Sequence, residues 1–171
     1  VSWFEALRYG HFSPETDAAL RDPHGTVMDE RLMVLLDQAR QEAGVPFIVT
    51  SGARPPAVNR AAGGATDSAH LITDDGHKAY AVDGHFVGWP LLKQLLHIMR
   101  FPFFGIGVYP HPLPSADRGR PWTPVVHVDR KDRGKPYNAQ VLWIRNAAGA
   151  YVYWPSAEFW AEFRALAREV A

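Results

Sequence analysis

The chain contains no cysteine among its 171 residues, which excludes disulfides, thiolate-held zinc, iron–sulfur clusters and a thiol nucleophile. Any metal must therefore rest on histidine and carboxylate. Net charge is missing too: 18 Lys plus Arg balance 18 Asp plus Glu, so no bulk field exists to hold DNA, RNA or an anionic membrane, and nucleic acid is not an expected partner. No stretch approaches the roughly 18 apolar residues of a membrane span, and Val1–Arg8 lacks the charged-then-apolar order of a signal peptide. Repeats, low-complexity tracts and long linkers are also absent. What remains is one domain over residues 1–171, and a hydrophobic fraction of 47% gives it enough apolar surface for a real core.

Apolar periodicity supplies the elements. Leu32, Leu36, Ala39 and Ala43 recur at helical spacing between Asp29-Glu30 and the stop Gly44-Val45-Pro46. Phe47–Thr50 reads as a strand that delivers the loop Ser51–Pro56, and Ala79–His85 reads as another strand. Leu91, Leu92, Leu95, Leu96 and Met99 mark a second helix after Trp89-Pro90. Gly105–Tyr109, Val125–Asp129 and Gln140–Ile144 are extended, and Asn146–Gly149 turns into Tyr151–Trp154. A last helix starts near Ser156, with Phe159, Phe163, Leu166 and Val170 in one stripe. The mixed order predicts an α+β fold, a mostly antiparallel sheet with flanking helices.

Three segments place polar residues where a core would not want them: Ser68-Ala69-His70, Ala81-Val82-Asp83 and His127-Val128-Asp129. Strand alternation puts His127 and Asp129 on one face and Val126 and Val128 on the other, with Asp83 similarly opposite Val82. Two histidines and one carboxylate around an open position form a catalytic-zinc set, although His and Asp on a strand also suit a solvated face. His11, His24 and His97 have no matching motif and are expected at the surface or core edge. His85 shares a strand face with Asp83 and His77 lies in the stretch between His70 and Asp83, so either could border a metal but neither is counted as a ligand; His111 reads as a loop histidine, and Trp143, Trp154 and Trp160 read as core.

In order along the chain, Ser51-Gly52-Ala53-Arg54, Asn59, Gly63-Gly64, Ser68-Ala69-His70, Ala81-Val82-Asp83 and Val126-His127-Val128-Asp129 resemble the motifs of the zinc D-Ala-D-Ala carboxypeptidase and L-alanyl-D-glutamate endopeptidase family. Phe12–Glu15 and Gly105–Tyr109 are similar to segments of its short phage and prophage members. The resemblance implies a hedgehog/D-Ala-D-Ala-peptidase-like fold and Zn2+ on His70, Asp83 and His127. It puts Arg54 on the substrate carboxylate or polarised carbonyl, a task suited to its planar fork of donors. Ser68 and Trp122 are the further substrate-contact expectations. Pro124 stands where many members carry a glutamate base, so Asp129 is expected as the general base. His70 and Asp83 are thirteen residues apart, longer than the family's usual spacing, with residues 72–77 as an inserted turn.

The implied activity is hydrolysis of a peptide bond in peptidoglycan stem peptides, as a D,D-carboxypeptidase or endopeptidase. The implied setting is the host cytoplasm before release, or a virion with phage tail proteins as partners, acting in the bacterial cell wall. A non-catalytic virion or wall-binding component that keeps the zinc fold is the alternative.

Overall fold

A computed structural model describes residues 2–20, 27–61, 63–72, 78–112, 123–134 and 140–168. In chain order these form α1 (Glu30–Ala43), β1 (Phe47–Ser51), α2 (Pro56–Ala61), β2 (Ala81–Phe86), α3 (Leu91–Ile98), β3 (Gly105–Tyr109), β4 (Val125–Asp129), β5 (Val141–Arg145), β6 (Tyr151–Tyr153) and α4 (Ala157–Arg168). The six strands make one sheet in the order β1-β2-β4-β3-β5-β6. All pairs are antiparallel except β3 with β5. The fold is α+β.

Local chemistry explains the ends of α1. Asp29 caps its start by accepting the Leu32 N–H at 2.8 Å, and Gly44, at φ 68°, ends it in the left-handed conformation that glycine adopts without strain. Leu32, Met33, Leu36 and Ala39 are buried, as is Asp37. The Asp37 carboxylate accepts the Tyr9 and His11 N–H groups at 2.8 and 3.0 Å, fastening the N-terminal segment over the helix. Trp3, Leu7 and Phe12 of that segment are in the core. At α3, buried Gln94 accepts the Phe86 N–H and donates to Trp89 O, tying the helix to the end of β2. His97 reaches Ala39 O at 2.9 Å, which accounts for this histidine as a core link between α3 and α1.

The alternation of the strands divides the sheet into two chemically different faces. Val82, Ile106, Val108, Val126, Val128 and Ile144 point into the core with Leu36, Leu95, Ile98 and Phe159 from the helices. Each such buried side chain contributes about 1.5–3 kcal/mol relative to exposure. The opposite face carries Asp83, His127, Asp129, Tyr109, Trp143, Arg145, Tyr151 and Tyr153, which line one cleft of about 860 Å³. The apolar half of each strand thus secures the polar half. Among the described residues no helix is long and apolar enough to cross a membrane.

Three expectations change. The expected loop Ser51–Pro56 is shorter at both ends: Ser51 closes β1, and Pro56 opens the short helix α2. Trp154 and Trp160 are 51% and 40% exposed and not core, because β6 lies at the sheet edge and Trp160 projects from the outer side of α4. Residues 73–77 of the inserted turn, with His77, and also His24, Trp122 and Val170, lie outside the described residues.

Candidate metal centre

β2 and β4 pair so that Asp83 and His127 are cross-strand partners. His70 arrives from outside the sheet. Its segment is joined to the Arg54 segment by Arg54 N–H to His70 O and Ile72 N–H to Arg54 O, at 2.8 and 3.1 Å. Tyr80 N–H to Ala69 O, at 2.7 Å, fixes the return of the chain toward β2. The longer stretch between His70 and Asp83 therefore leaves and re-enters at fixed points, and the two ligands still meet: His70 Nε2 lies 3.3 Å from Asp83 Oδ2. Closing a slightly longer loop costs only a fraction of a kcal/mol, on the order of 0.6 per doubling.

His70, Asp83 and His127 form a buried cluster whose ligand atoms lie within 4.8 Å of one another, able to hold a metal ion. His127 Nδ1 is 2.7 Å from Asp83 Oδ1 and 3.4 Å from His70 Nε2. The outward nitrogens have acceptors. His70 Nδ1 donates to Gly52 O at 2.8 Å, and His127 Nε2 donates to Asp129 Oδ2 at 3.0 Å. Each outward N–H fixes its ring so that the remaining nitrogen faces the cluster, the arrangement a metal-binding imidazole needs. Two imidazoles, a carboxylate and an open side toward a cleft are a donor set that could hold a metal ion with a position left free.

Burial by itself would raise the Asp83 carboxyl, but the charges and hydrogen bonds of His70 and His127 hold it well below the usual range. Burial would lower His127, yet hydrogen bonds to Asp129 and Asp83 win and push it up to about 9 in the metal-free chain. This favours the imidazolium in the metal-free chain, whose Nδ1 proton a bound cation would have to displace.

Asp129, the expected general base, is tightly held. It is fully buried, and Arg133 grips it through Nη1 to Oδ1 at 2.7 Å and Nη2 to Oδ2 at 2.6 Å. The Lys131 N–H also binds Oδ1, at 2.9 Å. Burial would raise this carboxyl, but Arg133 and then His127 hold it far below the ordinary value. It sits behind the His127 ring, on the nitrogen opposite the one facing Asp83. Both carboxylate oxygens are thus occupied, and the His127 imidazole stands between Asp129 and the rest of the cluster.

Two glycines make room for this arrangement. A Cβ at Gly105 would stand 2.7 Å from Asp129 Cγ, and one at Gly107 would stand 2.8 Å from Trp143 Cζ2. Side chains at either position would displace Asp129 or the indole packed beside His127, whose ring centroid is 5.2 Å away. Trp143, buried as expected, is therefore also a wall of the cleft.

Arg54 faces the cluster: its Nη2 donates to Asp83 Oδ2 at 2.9 Å and its Nε to Ser51 Oγ at 2.8 Å. Ser68 lines the same cleft, while its Oγ accepts the His70 N–H at 3.3 Å and shapes the turn. Buried Asn59 donates to Ala65 O at 2.8 Å, with Gly64 N–H returning to Asn59 O at 2.9 Å, so the Asn59 and Gly63-Gly64 signals position the His70 loop. His85 lies in a separate groove with Trp89 and Leu91, and His111 lends its carbonyl to Arg145 at 2.7 Å. Arg133 was not anticipated. It sits in the charged run Asp129–Arg133, which resembles a solvated loop in sequence.

The α+β domain thus carries at the floor of a cleft a buried His-Asp-His cluster that could hold a metal ion. The family model for Peptidase M15 matches residues 7–112, more than half of the chain, and includes Arg54, His70 and Asp83. The chain belongs to the Peptidase M15 family. Searches of curated proteins and of solved structures found no match.

Proposed function

We propose that the chain is a zinc-dependent peptidase that hydrolyses a peptide bond in bacterial peptidoglycan stem peptides, as a D,D-carboxypeptidase or endopeptidase. The observation that carries this reading is the pair of tautomer-fixing hydrogen bonds, His70 to Gly52 and His127 to Asp129. They prepare two imidazoles for a metal and spend a buried carboxylate and a backbone carbonyl to do so. Zinc held by His70, Asp83 and His127 would supply Lewis acidity to the scissile carbonyl and to water.

The chain's own residues supply the rest. Arg54, anchored on Ser51, offers guanidinium donors at the edge of the cluster for a substrate carboxylate or for charge developing on the carbonyl oxygen. Tyr109 lines the same wall. Its burial, and then the negative charge of Asp83 and the nearby Tyr151, hold its hydroxyl proton well above the ordinary phenol range, so it serves as a donor. Ser68 and Trp122 are the other proposed substrate contacts. The likeness of the Phe12–Glu15 and β3 segments to phage members supports a lysis or virion setting, with the bacterial wall as the place of action.

One observation favours a second reading, a wall-binding scaffold that does not hydrolyse. Each carboxylate described in the cleft is engaged by a cation: Asp67 by Lys131, Asp83 by Arg54 and Asp129 by Arg133. Incubation with purified stem peptides and intact sacculi, with and without a chelator, separates the two. Chelator-sensitive release of an amino acid or peptide is expected. Sacculus binding without any release, with zinc retained, would overturn the peptidase in favour of the scaffold.

A further inference from the structure

The cleft extends beyond the metal cluster as a ledge of rings. Tyr109 and Trp143 both lie against His127, with centroids 6.1 and 5.2 Å from its ring. Each inner ring leads to one outer ring on β6: Tyr109 to Tyr151 and Trp143 to Tyr153, both at 6.2 Å. The inner pair is covered by cations, with Arg145 4.4 Å above Tyr109 and Arg133 5.5 Å from the Trp143 ring. Among the described residues no cation lies over the outer pair: Tyr151 and Tyr153 are 50% and 51% exposed although they line the same cleft as His70 and Asp83. Val152 between them packs against the core, so β6 holds both tyrosines on the cleft face.

We propose that Tyr151 and Tyr153 form a saccharide subsite that takes the glycan portion of the substrate; this rests on the peptidoglycan reading above. Two rings at alternate positions of one strand stand about 6.6 Å apart and make a broad ledge in place of a side-chain pocket. A pyranose ring has a flat C–H face and a polar rim, which complements a tyrosine with an apolar body and a hydroxyl tip. The stem-peptide residues, chiefly alanine, glutamate and a diamino acid, offer no comparable flat apolar face. Continuity with the metal cluster makes the occupant of the ledge a part of the molecule being cut.

Chitotetraose, a β-1,4-linked N-acetylglucosamine chain, tests this without requiring turnover. The wild-type protein should bind it saturably by NMR titration. Tyr151→Ala with Tyr153→Ala should weaken binding at least about tenfold, and the corresponding double Phe variant, which keeps both rings, should retain it. Trp160→Ala, an exposed aromatic outside the cleft, should bind like the wild type. No saturable binding by wild type, full binding by the double Ala variant, or equal loss in the double Phe or Trp160→Ala variants would each overturn the subsite. In hydrolysis, the double Ala variant should raise KM for a disaccharide-linked stem peptide about tenfold more than for the bare peptide. Equal changes for both would also overturn it. Chitotetraose binding lost only in the double Ala variant, with neither peptide cut, would retain the subsite and reject the peptidase.

Discussion

Replacing Asp129 with asparagine separates a positioning carboxylate from a general base. The carboxylate receives four donors, His127 Nε2, Arg133 Nη1, Arg133 Nη2 and the Lys131 N–H, and it has none of its surface in water. Asparagine has the same shape, but one of its two positions becomes a donor and must face two of those donors. If the amide nitrogen faces His127, the imidazole proton moves to Nδ1 and its lone pair leaves the metal cluster. If it faces Lys131 and Arg133 Nη1, the Arg133 clamp opens. Two charge-assisted hydrogen bonds at about 1.5–3 kcal/mol each agree with the roughly 3–5 kcal/mol lost on breaking a buried pair. Metal affinity should fall about 10- to 100-fold. The assay is zinc titration against a competing chelator, with thermal unfolding, followed by turnover at saturating zinc. Activity should largely return when metal is saturating. Wild-type zinc affinity combined with a loss of turnover of at least roughly 10²-fold, the usual cost of losing a general base, would refute the positioning role and restore Asp129 as the base.

Zinc uptake at pH 7 should release about one proton per ion, because His127 titrates near 9 before metal binds; calorimetry in two buffers of different ionisation heat measures it, and zero release would contradict the protonated apo state. For the metal-free chain the sign is that of a raised histidine: its stabilising contribution is full below about pH 6.5 and disappears as pH rises through about 9, which unfolding midpoints across that range will show. Gly105→Ala should cost about 1–3 kcal/mol through overpacking against Asp129 and weaken zinc binding with it, so a denaturation curve matching the wild type would remove the clearance argument. Arg54→Lys should lower turnover while zinc content stays near one per chain, because a lysine keeps the charge but cannot bridge Ser51 and Asp83 together; unchanged turnover would take Arg54 out of the mechanism.

The residues that were legible in sequence are those whose signal is local. Asp29 and Gly44 bracket α1 through chemistry at its own ends, and the Val-His-Val-Asp alternation of β4 shows which side chains share a face. What alternation cannot show is the neighbour. That Asp83 stands opposite His127, or that β3 runs parallel to β5, depends on register between distant segments. Trp154 and Trp160 read as core because they have apolar sequence neighbours, but an edge strand and an outward helix face leave them exposed. Alternation puts Asp129 on the same face as His127, but the Arg133 clamp that occupies its carboxylate belongs to a charged turn with no signal of its own in sequence. Gly105 and Gly107 are a subtler case. Their segment reads in sequence only as extended, whereas their missing side chains are the volumes that Asp129 and Trp143 fill.

The three ligands come from widely separated stretches of chain, with His127 lying 57 positions from His70 and 44 from Asp83. An ion shared among them would act as a removable cross-link: it would close long loops of polypeptide, yet unlike a disulfide it would yield to a chelator. Two of the tie points belong to interior strands, whereas the third is a short loop supported by Asn59, so the gain from the cross-link concentrates around residue 70. A ligand present at a thousand times its dissociation constant adds about 4 kcal/mol to a fold. In a chain with no cysteine, an ion bound there would give the protein a reversible staple whose strength follows the supply of metal around it.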